Sequence, residues 1–272
     1  LDLRLINLWA DYLSEIKSGK ADAIIRLDIN NGIIEGISSK SNINNLKWLT
    51  KENKTINFNK ISGLIEWNIN KKYSSVKLSN LDLNIENGPN FKSSEIEIEI
   101  NNKNELKFAS INVNRLNLDT TNNFIQKLPK NITDFYSDYL TISPSGILTG
   151  LKLRWEKDKI FNLDTKILGL SFMPFENFPS VTNVTGEIKI NNLKGLIKSV
   201  SKDVVINGDN IFREPLKFDQ FSGIITWENN SSIDFKDVTI KNADLQAEIN
   251  GNYFHAGKDK SNINIDANIT NI

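Results

Sequence analysis

Hydrophobic and polar positions alternate along most of this chain. In Glu95-Ile96-Glu97-Ile98-Glu99-Ile100 one side is wholly acidic and the other wholly isoleucine, the pattern of a strand wetted on one face and dry on the other. Ile25, Leu27 and Ile29 alternate into an Asn30-Asn31-Gly32 turn, and Ile33 to Ser38 return from it, a hairpin signature. Strands are also predicted at Phe108 to Leu118 with a phase slip near Arg115, from Leu148 through Leu151, Leu153 and Trp155, and at Phe161 to Phe172. Val184 to Ile190 and Ile263 to Ile269 complete the set. Val76 and Leu78 run in one phase, whereas Leu81, Leu83 and Ile85 run in the other. That slip at Ser79-Asn80 predicts a β-bulge. Helical spacing is rarer. It appears at residues 4–17 (Leu5, Leu8, Trp9, Tyr12, Leu13, Ile16), and at 121–139, where Pro129 favours two short helices, or a helix and a turn, over one rod. Residues 42–49 are ambiguous, since Ile43, Leu46 and Leu49 fit one helical turn.

One stretch occurs twice. Phe58 to Trp67 (Phe-Asn-Lys-Ile-Ser-Gly-Leu-Ile-Glu-Trp) returns 160 residues later as Phe218 to Trp227 (Phe-Asp-Gln-Phe-Ser-Gly-Ile-Ile-Thr-Trp), with no gap. Each copy is followed by a polar break, an alternating strand and Asn-rich turn chemistry. A repeat of this kind is a unit that extends its apolar face onto a neighbour. Residues 1–140 form the expected first unit and 141–272 the second, joined at Pro144-Ser145-Gly146 in one continuous sheet.

The pattern implies on the order of a dozen to sixteen strands, so a single sheet would be about 60–75 Å across and must twist or curl. If such a sheet left about 1,000 Å² of apolar surface wet, the cost would reach ~25 kcal/mol, against a typical domain stability of about 5–15 kcal/mol. Something has to cover that face: the opposite wall of a curled sheet, a second sheet, or an apolar ligand. The helical stretches suffice only to cap part of it.

Composition narrows the chemistry. The 33 basic and 33 acidic residues balance, and the arginines are only Arg4, Arg26, Arg115, Arg154 and Arg213, so no nucleic-acid partner is expected. With no cysteine, disulfides, thiolate nucleophiles and cysteine zinc sites are excluded. Asn, Ile and Lys are abundant, most simply a compositional bias, and Asn131-Ile132-Thr133 and Asn183-Val184-Thr185 then match the glycosylation pattern by chance. His255, the single histidine, has no recognisable triad or metal partner and is read as structural. No phosphate-binding glycine loop occurs, and nothing favours a catalytic carboxylate pair. Trp67 and Trp227 fit packed inner aromatics better than sugar-stacking platforms. The expectation is no enzyme, no metal and no cofactor.

The second half carries an ordered set of signals: Pro144-Ser145-Gly146-Ile147-Leu148-Thr149-Gly150-Leu151 into Leu153-Arg154-Trp155, then Phe178 to Gly186, Ile211 to Leu216, and Phe221 to Trp227. This succession resembles the YhdP branch of the AsmA-like proteins of Gram-negative bacteria. The first half joins it through Ile61-Ser62-Gly63 to Trp67 and Leu116-Asn117-Leu118-Asp119. The resemblance implies a mainly β fold, an elongated, curled antiparallel sheet forming a taco-like hydrophobic groove with one or two short helices. It also implies a segment of a phospholipid conduit between inner and outer membrane. The chain would be periplasmic, anchored to the inner membrane through a segment outside this sequence, with phospholipid, both membranes and adjacent repeat units as partners. The expected groove-lining residues are Ile65, Trp67, Ile96, Ile98, Ile100, Leu151, Leu153, Ile188, Ile190, Ile225 and Trp227. The rival reading is a structural or adhesive β-repeat with a closed dry core and no ligand; a carbohydrate-binding sandwich fits less well, because the aromatics fall on the apolar phase.

Overall fold

The structure, a computed structural model, describes residues 2, 16–50, 53–69, 73–101, 105–128, 137–158, 160–174, 179–208, 213–228, 232–255 and 261–271. Among the described residues, fourteen antiparallel strands follow one another in the sheet in chain order. They are β1 (Ile16–Asn30), β2 (Ile33–Leu49), β3 (Thr55–Ile69), β4 (Tyr73–Ile85), β5 (Asn90–Asn101), β6 (Leu106–Asn117) and β7 (Ser145–Glu156). Then come β8 (Ile160–Phe172), β9 (Ser180–Asn191), β10 (Lys194–Asn207), β11 (Leu216–Glu228), β12 (Ser232–Lys241), β13 (Gln246–His255) and β14 (Ser261–Asn271). Helix α1 (Leu118–Ile125) and helix α2 (Ser137–Ile142) lie between β6 and β7. The chain divides into two compact units, Leu1–Ser137 with Gly150–Lys159, and Asp138–Thr149 with Ile160–Ile272.

Short turns impose the meander. Asn31 (φ 49°) and Gly32 (φ 79°) sit in the left-handed region between β1 and β2, as a two-residue hairpin turn demands. Among the described residues, nearly every other positive-φ position outside glycine is also Asn or Asp, whose short polar side chains tolerate that conformation. Composition alone therefore does not explain the asparagines. Several stand inside strands: Asn45 in β2, Asn80 in β4, Asn183 in β9, with Asp203 in β10 and Asp237 in β12.

These residues, together with small ones, form a crease across the strands of each unit. In the first unit, Ala23, Ser41 and Gly63 lie opposite one another on β1, β2 and β3, and Gly63 faces the Asn80 bulge of β4. A Cβ on Gly63 would stand 3.0 Å from the Ser79 carbonyl oxygen. In the second unit, Gly186, Ser199 and Gly223 line up on β9, β10 and β11, and Gly223 faces the register shift of β12, where a Cβ would come 2.7 Å from the Val238 Cα. Bulges disturb the ladder, and hydroxyls fill in. The Ser201 Oγ accepts from the Thr185 N–H at 2.9 Å, and the Ser199 Oγ donates to the Thr185 carbonyl at 3.1 Å. Thr185 Oγ1 accepts from the Gly169 N–H at 3.1 Å. Bulges bend and twist the strands that carry them, so a row of them bends the strands of each unit along one line. The slip predicted at Ser79-Asn80 is one member of this row.

Several expectations change. The helix expected at residues 4–17 lies mostly outside the described residues, but Ile16 and Lys17 begin β1, which runs through Gly19. Residues 42–49 belong to β2; their three-residue spacing follows a register shift against β1 around Asn45 (φ 52°), not a helical turn. In the 121–139 region the described residues hold the start of α2 and most of α1, which begins earlier, at Leu118. There Asn117 caps it, its Oδ1 accepting from the Thr120 N–H at 2.9 Å. The predicted Phe108–Leu118 strand accordingly ends at Asn117, and burial steps from Val113 to Leu116 across Arg115. Strand β10 carries no period-two apolar signal, because its inward positions include the buried Ser199 and Ser201 while Val200 faces out, 68 % exposed.

Candidate functional site

The two faces of the sheet differ in kind. One carries exposed cross-strand ion pairs: Lys60–Asp82 at 3.6 Å, Lys166–Glu187 at 3.8 Å, Lys189–Asp164 at 3.9 Å and Lys194–Glu228 at 2.5 Å. Glu95, Glu97 and Glu99 lie here, with Glu97 opposite Lys77 and Glu99 opposite Phe108, over whose ring the Arg154 guanidinium sits 5.3 Å from the centroid. Asp82 is held below the usual carboxylate range, chiefly by the Ser93 N–H that it accepts at 3.0 Å and then by Lys60. Glu105 is lowered likewise, by the Asn101 side-chain amide and by Lys157.

The other face is assembled from register. In the first unit, Ile25, Ser39, Ile65, Leu78, Ile96 and Ile111 form one row across β1 to β6. Leu27, Ile37, Trp67, Val76, Ile98 and Ala109 form the next, wholly apolar. In the second unit, Thr165, Ile188, Ile197, Ile225, Phe235, Gly251 and Ile265 run across β8 to β14, beside Leu163, Ile190, Gly195, Trp227, Ile233, Tyr253 and Ile263. No charged side chain enters any of the four rows.

Register thus brings Ile65 together with Ile96, Trp67 with Ile98, Ile188 with Ile225, and Ile190 with Trp227. Ile100 lies further along β5, opposite Ser74 and Leu106. On β7, Leu153 is half-buried, whereas Leu151 is buried. Sequence reasoning left Leu27, Ile37, Val76 and Ile197 out of the lining. Alternation gives each strand its face but not its partner, so only the register shows that they complete the rows.

The rows are unevenly covered. Ile65, Trp67 and Ile98 remain more than a third exposed, and Ile25, Leu27 and Ile29 on β1 more so. Beyond the crease of the first unit, Ile56, Leu81, Ile85 and Val113 are buried, as are Leu118 and Ile125 of α1. The Lys54 Nζ donates to the Gln126 carbonyl at 2.9 Å, tying the end of α1 to the start of β3, while Phe124 adjoins Gly88 in the β4–β5 turn. A helix closes that end, and the face is open on the other side of the crease. In the second unit, the Met173 N–H donates to the Ile142 carbonyl at 2.8 Å, tying α2 to the end of β8.

Among the described residues, no cluster of acids or histidine could hold a metal ion, and no helix is long and apolar enough to cross a membrane. The site is a surface for burial, with no charged side chain in its rows. No curated protein and no solved structure gives a match to this sequence. The YhdP protein family does match, over residues 3–272, and the chain belongs to that family.

Proposed function

We propose that this chain is a segment of a conduit that carries phospholipid across the periplasm between inner and outer membrane. Acyl chains lie on the open apolar rows of each unit, and headgroups stay in solvent at the mouth. The single observation that carries the reading is the row Leu27, Ile37, Trp67, Val76, Ile98 and Ala109. It is apolar from strand to strand and left half open, in a chain whose family points to lipid transport.

The energetics suit passage better than storage. Burying one methylene is worth about 0.8 kcal/mol relative to water, so a tail gains much on leaving water but little on leaving a bilayer. A groove that replaces one hydrocarbon environment with another lets lipid enter and leave without a deep trap. Weak discrimination among headgroups follows, since no charged residue stands in the rows to read them. The half-exposed rows also argue against the rival dry-core repeat, whose inner residues would meet one another.

Native mass spectrometry of the purified chain tests this directly, with bound phospholipid as the expected result. Ile98→Asp puts a charge into the open row and is expected to abolish lipid co-purification and transfer between vesicles while expression stays near normal. Unchanged binding and transfer in that variant would refute the assignment of the row.

A further inference from the structure

Trp67 and Trp227 end the two copies of the repeated stretch, and each stands in an apolar row between two neighbouring strands. Their seats differ. Trp227 lies opposite Gly195 of β10, and a Cβ built on that glycine would collide with Cζ2, Cε2 and Cη2 of the indole. The six-membered ring of Trp227 therefore rests on bare backbone, flat against the wall. Trp67 lies opposite Ile37 of β2, a branched side chain where Trp227 has a glycine, and its partner on β4 is Val76. Trp67 is left 41 % exposed; Trp227 is half-buried.

We propose that Trp67 is an acyl-contact residue that fixes where a tail lies in the first unit, whereas Trp227 is part of the wall, withdrawn by its glycine seat. The inference rests on the lipid-conduit reading. An exposed indole in a row of aliphatic side chains offers a large, rigid apolar plane at little conformational cost, suited to a flexible chain passing over it. With Gly195 beneath it, the same residue spends that plane on the sheet itself. Identical sequence positions thus serve as a contact in one unit and as lining in the other.

Bromine quenching of indole, which acts at contact, separates the two. The chain is mixed with vesicles of phosphatidylethanolamine brominated at mid-chain, with unbrominated vesicles as reference. Bromine-dependent quenching is expected in the unmodified chain, to be retained in Trp227→Phe, and to be mostly lost in Trp67→Phe. Gly195→Ala lifts Trp227 off its seat and is expected to increase quenching. Equal losses in the two tryptophan variants, or full retention in Trp67→Phe, would overturn the assignment, and Trp227→Phe alone decides against it if quenching disappears there. If native mass spectrometry finds lipid while quenching ignores Trp67, only this inference fails. If it finds none and the unmodified chain is not quenched, the conduit reading falls too.

Discussion

Ile56 and Ile98 are the same residue type on the same face of the first unit, yet one is 1 % exposed and the other 39 %. The crease lies between them. On the α1 side, Ile56, Leu81, Ile85 and Val113 are buried, at the end of the face where Lys54 and Gly88 meet a helix whose own Leu118 and Ile125 are buried. On the other side Ile65, Trp67 and Ile98 stay more than a third exposed. Strand sequence is equally apolar on both sides, so burial here is decided by what lies above the sheet. A fold with this division keeps its stability at one end of a face and leaves the other free to take a ligand.

The sharpest way to break that division is to truncate one residue on each side. Ile56→Ala is expected to cost about 3 kcal/mol, the usual range for an aliphatic side chain fully buried in a core. Ile98→Ala, half open already, should cost about 1 kcal/mol or less, because less surface and fewer packing contacts are lost. Urea unfolding of both variants measures the difference. Equal losses would mean that the open side is sealed by protein in solution. Bound lipid should show the opposite ranking, reduced by Ile98→Ala and little changed by Ile56→Ala.

Much of this face was legible in the sequence, because strands wetted on one side alternate strictly. Glu95 to Ile100 gave both the strand and its two faces, and the slip at Ser79-Asn80 located a bulge. Other bulges carry the same three-residue step, from Val181 to Val184, from Ser201 to Val204 and from Phe235 to Val238, each across an Asn or Asp with positive φ. Strand β10 was not legible, since serines at inward positions imitate a polar loop until their hydroxyls are seen bonded to Thr185. Nor was the uneven covering. It depends on where α1 docks, and on Gly195 coming to lie opposite Trp227, which are relations between distant parts of the chain.

The crease itself can be stressed. A Cβ at Gly223 would stand 2.7 Å from both Cα and Cγ2 of Val238, closer than the 3.0 Å from Gly63 to the Ser79 carbonyl oxygen. Overpacking of this sort costs about 1–3 kcal/mol, so Gly223→Ala is placed near the top of that range and Gly63→Ala near the bottom. Thermal denaturation of the two variants checks the order. Reversal would mean that the bulge of β12 yields more easily than that of β4.

The smallest expected effect concerns Asp82, which supports the crease from the charged face. Its carboxylate accepts at 3.0 Å from the N–H of Ser93, itself at φ 46°, and faces Lys60 at 3.6 Å. Because these partners lower its pKa in the folded state, the stability it contributes is complete above about pH 4 and is lost as pH falls through the folded value. The difference in stability between the unmodified chain and Asp82→Ala should therefore shrink on acidification below about pH 4. Asp82→Asn separates the two partners, since its amide oxygen can still accept from Ser93 while the attraction to Lys60 is gone. Because its amide oxygen still offers the Ser93 N–H a partner, Asp82→Asn should be less destabilised than Asp82→Ala. It should also lose the pH-dependent part and respond less to added salt, which screens exposed ion pairs. If the Asn and Ala variants were equally destabilised, Lys60 rather than the bulge would be what Asp82 serves, and the crease would have to hold its shape through its hydroxyls and glycines alone.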